Sequence, residues 1–382
     1  MNDVYCSTKF TDLMVSIPSR LLYNCCKAYP ERVNLDWLEE NPGKLFHTPT
    51  MTQDRTEMLA GKKCKSCDFG CYQYEELGLT SPRADNEPMK IDNIYQPLKK
   101  LDISLSTDCN LTCAYCSSEW STAWQQDIKK NGDYGIDGYS NKNNNWSSLW
   151  NKMKQKNRST DSRFFQLLLN EIKLTPSLEK IGLLGGEPLL NNSLIDLLET
   201  VKDKKISITS GLGITTDRLI KILNKVKNYN ITFTFSAEST GPLFEFIRHG
   251  SKWKDFQSKI KLVKEAGFGI SYNSVATNIT SFGLLKFYDM YSNEHNISYS
   301  QVTDRSFLQI NVLDDTSKKQ LLDSIKDRLD IPFFKQLHDS VIQPYTDIQK
   351  QDLKKFLMEF ARRRTLSLDI FPKHFLNWLE IT

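Results

Sequence analysis

The chain has 382 residues, a formal net charge of +4, 39% hydrophobic and 25% charged residues. That length predicts more than one structural unit with ample buried core, and the composition is that of an ordinary globular protein. The small net charge makes no bulk electrostatic case for nucleic acid or a membrane surface, and no stretch approaches the roughly 20 apolar residues of a membrane helix.

Met1–Phe10 contain no basic segment followed by an apolar run, so no secretory signal is expected and the cytoplasm is the default compartment. The first hundred residues read through their cysteines. All nine cysteines of the chain lie at or before residue 116, in three groups: Cys6 with Cys25 and Cys26; Cys64, Cys67 and Cys71; and Cys109, Cys113 and Cys116. In a reducing compartment clustered cysteines point to metal rather than to disulfides. Scattered cysteines would read as small buried hydrophobes. Cys64-x2-Cys67-x3-Cys71 puts three thiols within one or two turns, which favours a metal site. Four thiolates suit tetrahedral zinc as well as an iron–sulfur cluster, so the residues alone leave the metal open.

Leu101–Ser106 is expected to be a short strand ending directly before the third group. That group is Cys-x3-Cys-x2-Cys, with Tyr115 just before Cys116. Soft thiolates select iron–sulfur clusters, zinc or copper(I). An iron–sulfur cube held by three cysteines keeps one iron open to a cofactor or substrate. Gln125–Arg158 is a polar insertion rich in asparagine, lysine, glycine and serine, expected to be a solvated loop. Its Trp146 and Trp150 also suit a lid that contacts a base or a peptide.

Helices and strands then alternate. Helix Ser159–Leu174 precedes strand Ile181–Leu184, and helix Ser193–Asp203 precedes strand Ile206–Ser210. Helix Thr216–Lys227, strand Ile231–Ser236, helix Lys252–Ala266, strand Phe268–Ala276, helix Ser281–Tyr291 and strand Ile297–Val302 complete the series. Such alternation predicts βαβ units and a parallel sheet. The cysteine loop and Gly185-Gly186-Glu187-Pro188 both follow strands, on the face where parallel α/β folds carry their chemistry. The expected fold is therefore α/β, a partial (β/α)6 TIM-type barrel over 98–302. A cysteine-rich module over 1–97 precedes it, and a helical extension over 303–382 follows, with helices at Lys318–Leu329 and Gln349–Arg363.

The cysteine spacing, its aromatic and the Gly-Gly-Glu-Pro run resemble the signature of the radical S-adenosylmethionine (SAM) enzymes. The resemblance implies that Cys109, Cys113 and Cys116 hold a catalytic [4Fe-4S] cluster beside Tyr115. It implies that Gly185, Gly186, Glu187 and Pro188 bind the methionine amino group of SAM, with Ser210 near its ribose. Ser236 and Glu238 match a Ser-x-Asp/Glu pattern at the end of the fourth strand. Arg248, in an arginine–glycine segment beyond it, is expected to pair with the SAM carboxylate, or with His249 to cap a helix. The order Cys6, Cys25-Cys26, Cys64, Cys67, Cys71, Glu75, Gly78, Ser81, Arg83 is similar to the twitch (shortened SPASM) module of radical SAM proteins often met in bacteriophages. It implies an auxiliary [4Fe-4S] cluster on ligands drawn from Cys6, Cys25, Cys64, Cys67 and Cys71. The family further implies a flavodoxin- or ferredoxin-like external reductant and hydrogen abstraction from a peptide, protein or small molecule. Two other classes compete: a zinc-stapled binding protein, and an iron–sulfur redox carrier, for which the Gly-Gly-Glu-Pro run has no use.

Overall fold

The computed structural model describes residues 4–381 apart from 26, 77–80, 82, 84–90, 92, 137–160 and 303–304. The chain forms two compact units.

The first unit takes residues 1–108, 148–209 and 224–231. It holds strands β1 (Asp12–Ser16), β2 (Leu21–Tyr23), β3 (Glu31–Arg32), β4 (Lys100–Ser104), β5 (Lys180–Leu184) and β6 (Lys205–Ser210, which ends at the unit boundary). Their order is β3-β2-β1-β4-β5-β6. β4, β5 and β6 are mutually parallel, and their register aligns Leu101 with Ile181 and Ile206, and Ile103 with Leu183 and Ile208. All six of these side chains are buried, so one face of the strands carries apolar rows, as the two-residue period requires. The helix Ser162–Lys173 buries Phe164, Phe165, Leu168, Leu169 and Ile172 along one stripe. Asp161 caps its start by accepting the Phe164 N–H at 2.9 Å.

The sequence reading missed β1 to β3. β1 runs parallel beside β4, pairing Leu13 with Leu101 and Val15 with Ile103, and β2 and β3 follow antiparallel. A five-residue run such as Asp12–Ser16 carries too little period of its own. Its neighbour β4 supplies the register.

The second unit takes residues 109–147, 210–223 and 232–382. Its strands β7 (Ile231–Ser236, which begins at the unit boundary), β8 (Gly269–Ala276) and β9 (Asn296–Gln301) are parallel and adjacent in that order. Helices Gly241–Ile247, Trp253–Glu265 and Ser281–Tyr291 alternate with them. The fold is α/β with parallel strands. The six strands β4 to β9 and their intervening helices have the alternation of a partial TIM-type barrel.

The carboxyl-terminal region is helical: Asp315–Ile325, Pro332–Val341, Asp347–Arg364 and Lys373–Trp378. The 18-residue helix Asp347–Arg364 starts at a capping box of Thr346 and Gln349 and carries Arg362, Arg363 and Arg364 in its last turn.

The expectation of a loop from Gln125 onward is corrected. Thr122–Asn131 is a helix, capped by Ser121 and followed by Gly132 at φ 79°. Polar composition hid it, because only two of its ten residues, Trp124 and Gln125, are buried. Residues 137–158 of that insertion, with Trp146 and Trp150, lie outside the described residues. Among the described residues no helix is long and apolar enough to cross a membrane.

Candidate metal centre and cofactor site

The cysteine loop belongs to the second unit and is anchored along its length. At its start, the Cys109 N–H donates to Thr122 Oγ1 at 3.0 Å, and the Cys109 carbonyl accepts from Thr122 Oγ1 and the Ala123 N–H. Ser121 Oγ donates to the Leu111 carbonyl at 2.8 Å, and Trp124 Nε1 donates to the Cys113 carbonyl at 3.0 Å. On its other side the loop pairs with the end of the helix Gly241–Ile247. The Thr112 N–H donates to the His249 carbonyl (2.9 Å) and the Ala114 N–H to the Ile247 carbonyl (2.7 Å). Gly213 and Gly250 pack against Asn110 and Leu111, and a Cβ on Gly213 would stand 2.4 Å from Asn110 Oδ1. The third turn closes through the Cys116 N–H and the Cys113 carbonyl at 2.9 Å.

Beneath the loop lies a buried charged network. Glu238 (0% exposed) and Arg248 (3%) form a two-pronged ion pair, with Arg248 Nε to Glu238 Oε2 at 3.1 Å and Nη2 to Oε1 at 2.6 Å. Tyr115 Oη donates to Glu238 Oε1 at 2.6 Å and also contacts Arg248. Arg248 Nη1 faces Cys113 Sγ at 3.8 Å. The structure thus brings Cys113, Tyr115, Glu238 and Arg248 together. Burial pushes the Cys113 thiol well above its ordinary range, Arg248 acts the other way, and Cys116 and Cys109 add to the rise. Burial also opposes the charge on Arg248, but Glu238 beside it holds the guanidinium firmly protonated. Arg248 is also the C-cap residue of Gly241–Ile247, where its backbone N–H donates to the Phe244 carbonyl, while its guanidinium is taken up by Glu238. Ser210, buried, accepts the Leu212 N–H at 2.9 Å. Ser236 ends β7, half-buried.

Two further arginines hold the loop and were missed by sequence reading. Arg305 Nη1 donates to the Tyr115 carbonyl. Arg364 Nε donates to Thr112 Oγ1 at 3.0 Å, and its Nη1 to Tyr134 Oη at 2.8 Å. Both come from beyond β9, with no local motif to flag them.

The Gly-Gly-Glu-Pro run lies in the first unit, where β5 ends. Gly185 has φ 121°, and a Cβ there would stand 2.7 Å from the Ser106 carbonyl oxygen. A Cβ on Gly186 would stand 2.3 Å from the Asp108 carbonyl oxygen. The Gly186 and Glu187 N–H groups donate to those same two carbonyls, at 3.0 and 2.7 Å. The glycines therefore serve close backbone approach. Glu187 is 1% exposed and its Oε1 accepts the Leu189 N–H at 3.2 Å, opening a short 3-10 turn, Pro188–Leu190.

The amino-terminal cysteines share the first unit. Cys6, Cys64, Cys67 and Cys71 are buried and Cys25 half-buried, and Cys6, Cys64 and Cys67 share a core with Val4, Phe10, Met58 and Tyr72. The Tyr29 N–H donates to the Ser66 carbonyl at 2.7 Å, tying the Cys25 segment to the Cys64–Cys67 turn. A hydrogen bond from Cys67, with Lys9 nearby, holds the Cys64 thiol below its ordinary value against the effect of burial. Cys67 is driven up by Cys64, by burial and by Cys25. Cys71 is raised by burial and by Cys6, while the Arg83 backbone and Ser81 act the other way. The Glu75…Ser81…Arg83 pattern is physically linked: Glu75 accepts from Ser81 and Arg83, and Arg83 Nη1 donates to the Tyr5 carbonyl at 3.1 Å. Cys26 and Gly78 lie outside the described residues.

Among the described residues no three His, Cys, Asp or Glu side chains converge as a single-ion site. A cube does not demand that convergence, because each thiolate binds a separate iron. The donor set of the loop fits a cluster: three cysteines, none in a disulfide, within eight residues and in electrostatic contact. The amino-terminal set fits equally by donor chemistry.

Residues 103–282 match the family profile described as the Radical SAM superfamily. That matched segment, just under half of the chain, is similar to the radical SAM superfamily. It contains the cysteine loop, the Gly-Gly-Glu-Pro turn, Glu238 and Arg248. A search of curated proteins gives no match. Among solved structures, native anSMEcpe with bound AdoMet is 14% identical, with 63% of this chain and 62% of that chain covered and a TM-score of 0.40. Streptococcus suis SuiB bound to precursor peptide SuiA is 16% identical, covering 84% and 69% at a TM-score of 0.40. This chain spans about three-fifths of the anSMEcpe chains it matches.

Proposed function

We propose that this protein is a radical SAM enzyme in which Cys109, Cys113 and Cys116 hold a catalytic [4Fe-4S] cluster. The observation that supports this best is the cysteine loop itself, three thiols on a tightly anchored turn inside the segment similar to the radical SAM superfamily. Such a cluster, when bound, supplies the electron for reductive cleavage of SAM to methionine and a 5′-deoxyadenosyl radical, which takes hydrogen from a peptide, protein or small-molecule substrate.

The chain's own residues have defined tasks in this reading. Thr122, Ser121 and Trp124 hold the loop backbone so that its thiols keep a fixed spacing. Arg248 places a guanidinium beside Cys113 that works against burial and Glu238, both of which favour the thiol. Tyr115, locked between Glu238 and Arg248, sets the direction of the turn to Cys116. Gly185 and Gly186 admit the Ser106 and Asp108 carbonyls that hold the turn, and Glu187 is the acceptor assigned to the amino group of SAM.

The same reading gives the amino-terminal cysteines an auxiliary [4Fe-4S] cluster in a twitch-type module. A flavodoxin- or ferredoxin-like reductant supplies the electrons, and the compartment is the cytoplasm. The test is anaerobic iron–sulfide reconstitution, then dithionite and SAM, with assay for 5′-deoxyadenosine. Production that is lost in Cys113→Ala is expected. Unchanged production in Cys113→Ala, or zinc in place of iron in both sites, would end the proposal.

A further inference from the structure

The amino-terminal pocket contains a charge that no motif announced. Lys9 is 2% exposed and lies among the cysteines. Its Nζ donates to Asn24 Oδ1 at 3.3 Å, to Asp54 and to Ser66 Oγ. Ser66 Oγ also donates to Asp54 and stands 3.7 Å from Cys64 Sγ. The ammonium is thus fixed by three side chains from three different segments and linked through Ser66 to a cysteine sulfur. Cys67 and Cys64 are among the groups that favour its charged form, against the cost of burial.

A buried ion pair is a poor way to stabilise a fold, since well-packed apolar residues do as well or better. The location of this pair calls for another explanation. Four thiolates around a zinc ion or a [4Fe-4S]2+ core leave an excess of about two negative charges in the pocket. A buried Asp54 carboxylate alone would add to that excess. A lysine held between the carboxylate and the sulfurs cancels the first and attracts the second.

We propose that Lys9 is a positioning residue for the amino-terminal metal site, its fixed ammonium offsetting the charge of thiolate ligation at Cys64 and Cys67. This rests on the reading that the pocket holds a cluster. Lys9 touches no reacting atom. It acts on the cluster through its field and through Ser66, as residues outside the ligand set do in other metal sites.

The test uses the full chain with Cys109→Ala, Cys113→Ala and Cys116→Ala, so that only the amino-terminal pocket is loaded. Iron, sulfide and zinc are counted per chain after anaerobic reconstitution. The reduction potential of the remaining cluster is titrated by electron paramagnetic resonance, and its iron is challenged with a chelator. Lys9→Met alone would leave Asp54 buried without its cation, so the comparison is Asp54→Asn against Lys9→Met with Asp54→Asn. These two differ by the lysine charge and leave no lone carboxylate. The lysine-free variant is expected to have the more negative potential and about tenfold weaker hold on iron. Lys9→Arg with Asp54→Asn restores both values. Equal potentials and equal iron retention in the pair overturn the role of Lys9 and leave the cluster reading standing. A triple-alanine parent that takes up no iron, or only zinc, overturns the cluster reading and this inference with it.

Discussion

The two cysteine regions place the same side chain in different surroundings. At the amino-terminal site Cys6, Cys64 and Cys67 are buried in a core with Val4, Phe10, Met58 and Tyr72, Cys71 is buried as well, and Cys25 is half-buried. In the cysteine loop only Cys113 is buried, while Cys109 and Cys116 stay half-exposed. Closed thiol sites suit structural or electron-passing metal, and sites that must admit a ligand keep part of the coordination sphere open. The surroundings differ as well. At the amino-terminal site Lys9 is held by Asp54, Asn24 and Ser66, whereas the loop is tied by backbone hydrogen bonds and rests on the Glu238–Arg248 pair.

The largest effect that would break this comparison comes from removing one thiol on each side. Cys113→Ala is expected to abolish 5′-deoxyadenosine formation and leave about four irons in the amino-terminal pocket, counted by iron and sulfide analysis. Cys67→Ala is expected to lose that pocket's iron while dithionite-driven SAM cleavage persists. If either substitution empties both sites, the two regions are not independent.

The support under the loop comes next. Glu238→Leu leaves Arg248 buried without its carboxylate and should cost about 3–5 kcal/mol in chemical denaturation. Combining it with Arg248→Met should recover most of that loss, because the stranded charge is gone. A double variant no more stable than the single one would mean that packing, not charge, holds this place.

Smaller effects follow. Gly186→Ala pushes a Cβ to 2.3 Å from the Asp108 carbonyl oxygen, and the backbone shift should cost about 1–3 kcal/mol. Trp124→Phe removes the donor to the Cys113 carbonyl and should cost about 1–2 kcal/mol. It should also speed iron loss from the loop and spare the amino-terminal pocket.

The smallest is a pH effect in the first unit. His47 Nδ1 stands 3.1 Å from Arg55 Nη1, and burial, with Arg55 beside it, holds its pKa down to about 4. The folded state therefore keeps the imidazole neutral while the unfolded chain takes up a proton near pH 6.5. The stability contributed by neutral His47 is complete above pH 6.5 and is lost as pH falls toward 4. His47→Gln, which cannot titrate, should flatten this part of the pH–stability curve. An unchanged curve would remove His47 from the account.

Much of the barrel was legible because its signals are local. Ile231–Ser236 and Ser281–Tyr291 appear with the bounds their patterns predict, since a two- or 3.6-residue apolar period is written in consecutive residues. Cys109, Cys113, Cys116 and the Gly-Gly-Glu-Pro run were legible for the same reason: their chemistry depends on short spacing. The sequence by itself determined the strand–helix alternation and the thiol spacing, whereas the carbonyls that crowd Gly185 and Gly186 came from the fold. Only the tertiary structure decided that β1 lies beside β4, that Arg248 spends its fork on Glu238, that Arg305 and Arg364 brace the loop, and that Lys9 stands among the cysteines. Those contacts join residues far apart in the chain, from 10 positions for Glu238 and Arg248 to 252 for Thr112 and Arg364. A buried charge chooses its partner by the space that packing leaves, and no local pattern records that choice.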